Sequence, residues 1–135
     1  MTMIMGETNM TSKQHIKYIQ LIQNNQQQSI LLPVGEVKNL DNSMSLPITI
    51  EERELHCSAQ WQANIEVRSK VGKAYLLIDE IDTLPQKEQD KFISLLKDRR
   101  AGLFKLPNNV QIILSAKNIN NVSENIKAHT LYLGA

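Results

Sequence analysis

Cysteine is nearly absent from this chain: Cys57 stands alone among 135 residues. One thiol excludes an intrachain disulfide, gives no basis for a cysteine-built metal site, and fits a reduced, cytoplasmic setting. An excess of charge of either sign is lacking as well. Fifteen Lys and Arg face fourteen Asp and Glu, a formal net charge of +1, so electrostatics offers no case for nucleic acid or an anionic membrane surface as partner. The local basic cluster at Lys97, Arg99, Arg100 and Lys105 reads as a solvated helix end. Long apolar runs are missing too. Nothing approaches the ~20 residues a membrane-spanning helix needs. Residues 1–10 have no basic segment and only a four-residue apolar run, unlike a signal peptide. The three histidines, at 15, 56 and 129, lack any ligand spacing and read as ordinary surface or half-buried residues.

What is present is enough for one core. Hydrophobic residues make up 41% of the chain, and its length suits a single domain over residues 1–135. Thr2-Met3-Ile4-Met5, followed at once by Gly6, reads as a short buried strand. From Ser12 the spacing of Ile16, Ile19, Leu21 and Ile22 predicts a helix that fades in the polar run at residues 24–28. Residues 29–34 are strand-like, with Pro33 marking a strand end or a sheet edge. Beyond them come a turn at residues 39–42, an alternating piece at 48–55, and a short helix at 59–67 in which Trp61 anchors a small cluster. Residues 74–78 (AYLLI) form a continuous apolar run, as in a strand buried on both faces of a parallel sheet. Asp82 or Thr83 is expected to cap the next helix, with Pro85 in its first turn. Phe92, Leu95 and Leu96 make its buried stripe, and Gly102 is expected to end it in a left-handed conformation. Residues 110–114 and 129–133 are two further strands. Strands alternating with helices predict an α/β fold with a mainly parallel sheet of about five strands.

The chemistry concentrates where the buried run at 74–78 ends, in Asp79-Glu80-Ile81-Asp82. Acidic residues leaving the C-terminal end of a central strand lie where open α/β sheets bind ligands. Taken alone, four apolar residues followed by an acidic pair are equally a strand that stops at a polar turn. The following stretch, DEIDTLPQKEQDKFISLLKDRRAGLFKLPNNVQIILSAKN, resembles in one register the nucleotide-binding core of MoxR-like AAA+ ATPases of the dynein-related type. Upstream, Asp41, Pro47 and Trp61 resemble another segment of that family, with Met44 or Ser45 where the family has Gly.

The resemblance implies a P-loop NTPase-like three-layer sandwich, relatives that hydrolyse ATP as hexameric rings, and remodelling of partner proteins, often with von Willebrand A-type partners. Residues 75–80 fall on the Walker B segment: Asp79 would hold Mg²⁺, and Glu80 would polarise the attacking water. Asn118 falls on sensor 1, although an isolated Asn there equally begins a turn with Asn120 and Asn121. No intact Walker A motif occurs. Val71-Gly72-Lys73 lacks the first glycine and precedes a strand, whereas Gly6 to Lys13 has the expected strand–loop–helix context. There Thr11 replaces the second glycine, Ser12 the phosphate-binding lysine and Lys13 the Mg²⁺-binding hydroxyl. A helix step of about 100° turns Lys13 away from the position Ser12 vacates. No Arg stands just before the last strand, where Lys127-Ala128-His129 stand, and the helical lid with its second sensor is not in the 135 residues. The sequence therefore leads to an ATP- and Mg²⁺-binding domain impaired in hydrolysis, acting through a self-assembled ring or docked on a complete ATPase. The alternative is an interaction module that binds no nucleotide, or a truncated remnant.

Overall fold

The computed structural model describes residues 12–25, 28–33, 40–46, 50–51, 54–55 and 58–134, with side chains described for 17–25, 28–33, 40–46 and 58–134. The elements run α1 (Ser12–Asn24), β1 (Ile30–Leu32), β2 (Ser43–Ser45), β3 (Ile50–Glu51), β4 (Glu54–Leu55), α2 (Ala59–Val71) and β5 (Ala74–Ile78), then α3 (Gln86–Gln89), α4 (Ile93–Asp98), β6 (Arg100–Ala101), β7 (Phe104–Lys105), β8 (Val110–Ser115), α5 (Glu124–Ala128) and β9 (Leu131–Tyr132). Five strands form one sheet in the order β2-β5-β8-β1-β9, every pairing parallel. The short pairs β3–β4 and β6–β7 are antiparallel and separate from it. Among the described residues no helix is long and apolar enough to cross a membrane.

The apolar runs at 74–78 and 110–115 become the two central strands because both faces of the sheet are covered. Alternate residues serve opposite faces. Leu76, Ile78, Ile112, Leu114 and Leu31 join Trp61 and Ile65 of α2, Phe92, Leu95 and Leu96 around α4, and Ile126 of α5. Tyr75, Leu77, Ile113, Ile30 and Leu32 join Ile22 of α1 and Leu40 on the other face. Trp61 thus belongs to the main core rather than to a small cluster. Its Nε1 donates to the Ser45 carbonyl at 3.1 Å, and its ring meets Phe104 edge-on at 6.2 Å.

The direction of α1 follows from its ends. Gln111, at the start of β8, donates from Nε2 to the carbonyls of Asn25 (2.8 Å) and Gln28 (2.9 Å), which fixes the end of α1 at the edge where strands begin. Tyr18, two turns earlier, lies beside Tyr132 at the end of β9; burial first, and that neighbour second, raise its phenol pKa. The helix therefore runs antiparallel to the strands, and its first turn is directed toward the edge where they end.

Pro33 marks a strand end, one of the two places expected of it, since it follows β1, which lies inside the sheet between β8 and β9. Several expectations are corrected. The helix at 59–67 continues to Val71, where Gly72 follows and the Asn109 side chain caps the Ser69 and Gly72 carbonyls. The stretch at 41–46 contributes β2, its register held by Asn42 in a left-handed conformation (φ 58°) whose Nδ2 donates to the carbonyls of Arg68 and Lys73. Neither Asp82 nor Thr83 caps the helix after β5: the Thr83 hydroxyl donates back to the Glu80 carbonyl, the Asp82 carboxylate accepts from the Lys117 and Asn118 N–H groups, and Pro85 occupies the capping position without a side-chain bond. The left-handed end of α4 is Arg99 (φ 57°), and Gly102 (φ 62°) supplies the turn of the β6–β7 hairpin instead. The strand at 129–133 is shorter, Leu131–Tyr132, because α5 extends to Ala128 and His129 closes its last turn.

Candidate functional site

Two central strands end side by side and deliver the polar residues of one loop cluster. Ile78 pairs with Leu114, so Asp79 stands opposite Ser115, the last residue of β8. Ser115 is fully buried, and its hydroxyl works in both directions: Oγ donates to Asp79 Oδ1 (3.1 Å) and accepts from the Glu80 backbone N–H (3.0 Å). This pins the first carboxylate and the backbone of the second at once. Glu80 adopts a left-handed conformation (φ 55°, ψ 48°), uncommon for a residue with a Cβ, and its carbonyl accepts from both the N–H (3.0 Å) and the hydroxyl (2.7 Å) of Thr83. The chain thereby turns sharply after the strand and leaves both acidic side chains half-exposed at the sheet edge.

Asp82 closes the cluster from the other side. Its carboxylate accepts from the backbone N–H groups of Lys117 (3.3 Å) and Asn118 (3.0 Å), tying the turn after β5 to the turn after β8. Lys117 Nζ approaches Glu80 Oε1 at 3.6 Å, with side-chain exposures of 55% and 37%. A pair this exposed contributes about 0–1 kcal/mol, so it orients Glu80 without holding it against a competing ligand. Asn118 is exposed, and its Oδ1 accepts from the Asn120 N–H (3.1 Å) at the start of a short 3-10 turn. The carbonyl of Leu32 accepts from the Ala116 N–H (3.0 Å), so the segment after β1 also leaves the sheet at this edge.

Asp79, Glu80 and Asn118 are thus brought to one edge of the sheet. Ser12 and Lys13 begin α1, whose first turn is directed toward that same edge; their side chains, like Gly6 and Thr11, lie outside the described residues. Sequence reasoning misses Ser115, Lys117 and the role of Asp82. Ser115 has one signal, a hydroxyl closing an apolar run, and Asp82 sits within the acidic segment at a place that equally suits a helix cap.

Oxygen donors suit a hard cation, and Mg²⁺ sites commonly use one or two carboxylates, with water and ligand phosphates filling the other positions. Among the described residues no group of three His, Cys, Asp or Glu is placed to hold a metal ion without such help. Asp79, oriented by Ser115, is the residue of this cluster that fits a Mg²⁺ ion arriving with phosphate. The ion would supply charge neutralisation. Glu80 stands next to it, able to accept a proton or a hydrogen bond from water. Comparison with protein-family models, with curated proteins and with solved structures finds no significant match for this chain.

Proposed function

We propose that this chain is an AAA+-like, MoxR-type nucleotide-binding domain that takes ATP with Mg²⁺, is impaired in hydrolysis, and works through contacts with other protein subunits. The observation that carries the reading is the Ser115 bridge: a buried hydroxyl orients Asp79 and fixes Glu80 where two parallel strands end. Ligands of open parallel sheets bind at that end. In this reading Asp79 holds the metal, Glu80 faces the attacking water, Asn118 is the sensor, and Gly6, Thr11, Ser12 and Lys13 form a degenerate phosphate loop. Impairment follows from the residues themselves. Ser12 offers no cation to the phosphates, and no Arg stands just before the last strand. An arginine finger alone contributes roughly 10³–10⁵ in rate.

An ATPase assay tests this with three proteins: the native chain, Glu80→Gln, and the triple variant Thr11→Gly/Ser12→Lys/Lys13→Thr. Turnover is expected near background for the first two and restored in the third. Turnover in the native chain that survives Glu80→Gln would refute the roles assigned to Glu80 and to the degenerate loop.

A second reading, an interaction module that binds no nucleotide, draws on two observations. Lys117 already pairs with Glu80, and the Asn118 Oδ1 already caps its own turn. Both contacts are exposed and cheap to exchange, which leaves the nucleotide-binding reading ahead.

A further inference from the structure

At the opposite edge of the sheet, where the strands begin, two clefts of about 370 Å³ and 430 Å³ adjoin across Arg99. The length of β8, about 20 Å at ~3.3 Å per residue, separates them from Asp79. Arg99 is an unusual residue to find in such a place. It adopts a left-handed conformation at the end of α4 (φ 57°, ψ 40°), a position that favours glycine, so its side chain offsets a backbone cost. Part of that return is visible: Nη2 donates to the carbonyls of Pro107 and Val110, both at 2.7 Å. This clamp uses one nitrogen of a five-donor group. Among the described residues no carboxylate pairs with Arg99, and burial lowers its pKa, as expected for a half-buried cation without a counter-charge.

Lys97 adds a second cation to these clefts. Lys97 and His129 line the second cleft beside Arg99, and Ser29 and Gln28 line both. Among the described residues, none that lines either cleft is Asp or Glu. The charge of Arg99 also helps lower the pKa of nearby Lys73, after burial. His129 Nδ1 is occupied by the Asn125 carbonyl at 2.8 Å, which leaves Nε2 as the ring's other polar atom. In the first cleft Gln111 is 2% exposed, and its Oε1 is buried without a partner while Nε2 serves two carbonyls. Gln111 thereby holds Gln28, which lines both clefts, in place.

We propose that these adjoining clefts form a binding site for a phosphate-type oxyanion, centred on Arg99, with Lys97 as the second cation and Ser29 as a neutral donor. With Nη2 held by the two backbone carbonyls, Nη1 and Nε of the fixed guanidinium remain to donate single charge-assisted hydrogen bonds to an oxyanion. The site is independent of Asp79 and Glu80 and stands whether or not ATP binds at the other edge.

The test is a titration of the full chain with inorganic phosphate, and in parallel with phosphoserine, followed by backbone amide NMR. Saturable shifts are expected at residues 28–29, 97–99 and 129–130, unchanged in Asp79→Asn and weakened several-fold in Lys97→Gln, an exposed position whose substitution leaves the clamp intact. Arg99→Lys, which keeps the charge but loses the planar group that the Pro107 and Val110 carbonyls hold in place, is expected to weaken binding further. Tighter binding of phosphoserine would assign the site to a phosphate carried on a larger molecule, and equal binding to the free ion. No saturable shift at tens of millimolar of either probe, or shifts that ignore Lys97→Gln, would overturn the proposal.

Discussion

At the scale of single residues, the decisive side chains are small and buried. Ser115 has no exposed surface and holds two partners at the candidate site. Replacing it with Ala leaves the Glu80 N–H without this acceptor and removes a donor from Asp79. Orphaning such groups costs about 1–3 kcal/mol. A loss of that size on urea denaturation of Ser115→Ala is expected; unchanged stability would mean that water replaces the hydroxyl and that the bridge orients nothing. Gln89 plays a comparable part away from the site. It is fully buried, donates from Nε2 to the carbonyls of Leu84 (2.8 Å) and Asn121 (2.7 Å), and accepts from the Ser123 N–H at 2.7 Å. Gln89→Met keeps the volume and removes all three bonds, so a larger loss is expected, about 2–5 kcal/mol from several orphaned groups.

Tyr18 and Tyr75 give the pH dependence. Burial raises both pKa values, assisted by Tyr132 for Tyr18 and by Asp41 for Tyr75. A phenol whose pKa is higher in the folded state binds its proton more tightly there, so its contribution is fully present below the unfolded pKa. It is lost as pH rises through the folded value. Lys73 acts in the opposite direction: burial, then Arg99, lower its pKa, and the penalty on its charge is relieved as pH rises. Replacing Tyr75 with Phe is expected to reduce the fall in stability above about pH 10, the ordinary phenol pKa. Denaturation curves at pH 8 and pH 11 check this, and an undiminished fall in the variant would assign it to other groups.

At the scale of elements, legibility followed burial. The runs at 74–78 and 110–114 were readable because a strand covered on both faces must be apolar at every position. The stripe at Phe92, Leu95 and Leu96 was readable because one face of a helix repeats every three to four residues. The strand β2 was hidden: Ser43-Met44-Ser45 has one apolar residue and is placed by Asn42 and by pairing with β5, a long-range contact that leaves no local pattern. The β6–β7 hairpin is local but was hidden for another reason: its strands are two residues each, and Gly102 could equally have closed the preceding helix. Its left-handed conformation (φ 62°) was legible and its place was not. Gly102→Ala is expected to destabilise the chain by about 1–2 kcal/mol through the backbone alone. A thermal unfolding midpoint equal to that of the native chain would contradict it.

The site divides along similar lines. Asp79 and Glu80 were legible because an acidic pair after a buried run has a fixed position at the end of a sheet. Asn118 was singled out only through the resemblance, and what its side chain satisfies is the turn reading. The bracing role of Asp82 was hidden because its partners, the N–H groups of Lys117 and Asn118, lie 35 and 36 residues away.

At the scale of the whole molecule, one parallel sheet presents two chemically different edges. Where the strands end, three carboxylates gather, each with a donor or cation from the end of β8 or the residues after it. Where they begin, Arg99 and Lys97 line clefts without an acid among the described residues. The first edge is the proposed nucleotide site, and calorimetric titration with Mg·ATP tests it most directly. A Mg²⁺-dependent heat of binding is expected in the native chain, with loss of that Mg²⁺ dependence in Asp79→Asn. No heat at millimolar nucleotide, or binding indifferent to Asp79→Asn, would contradict it.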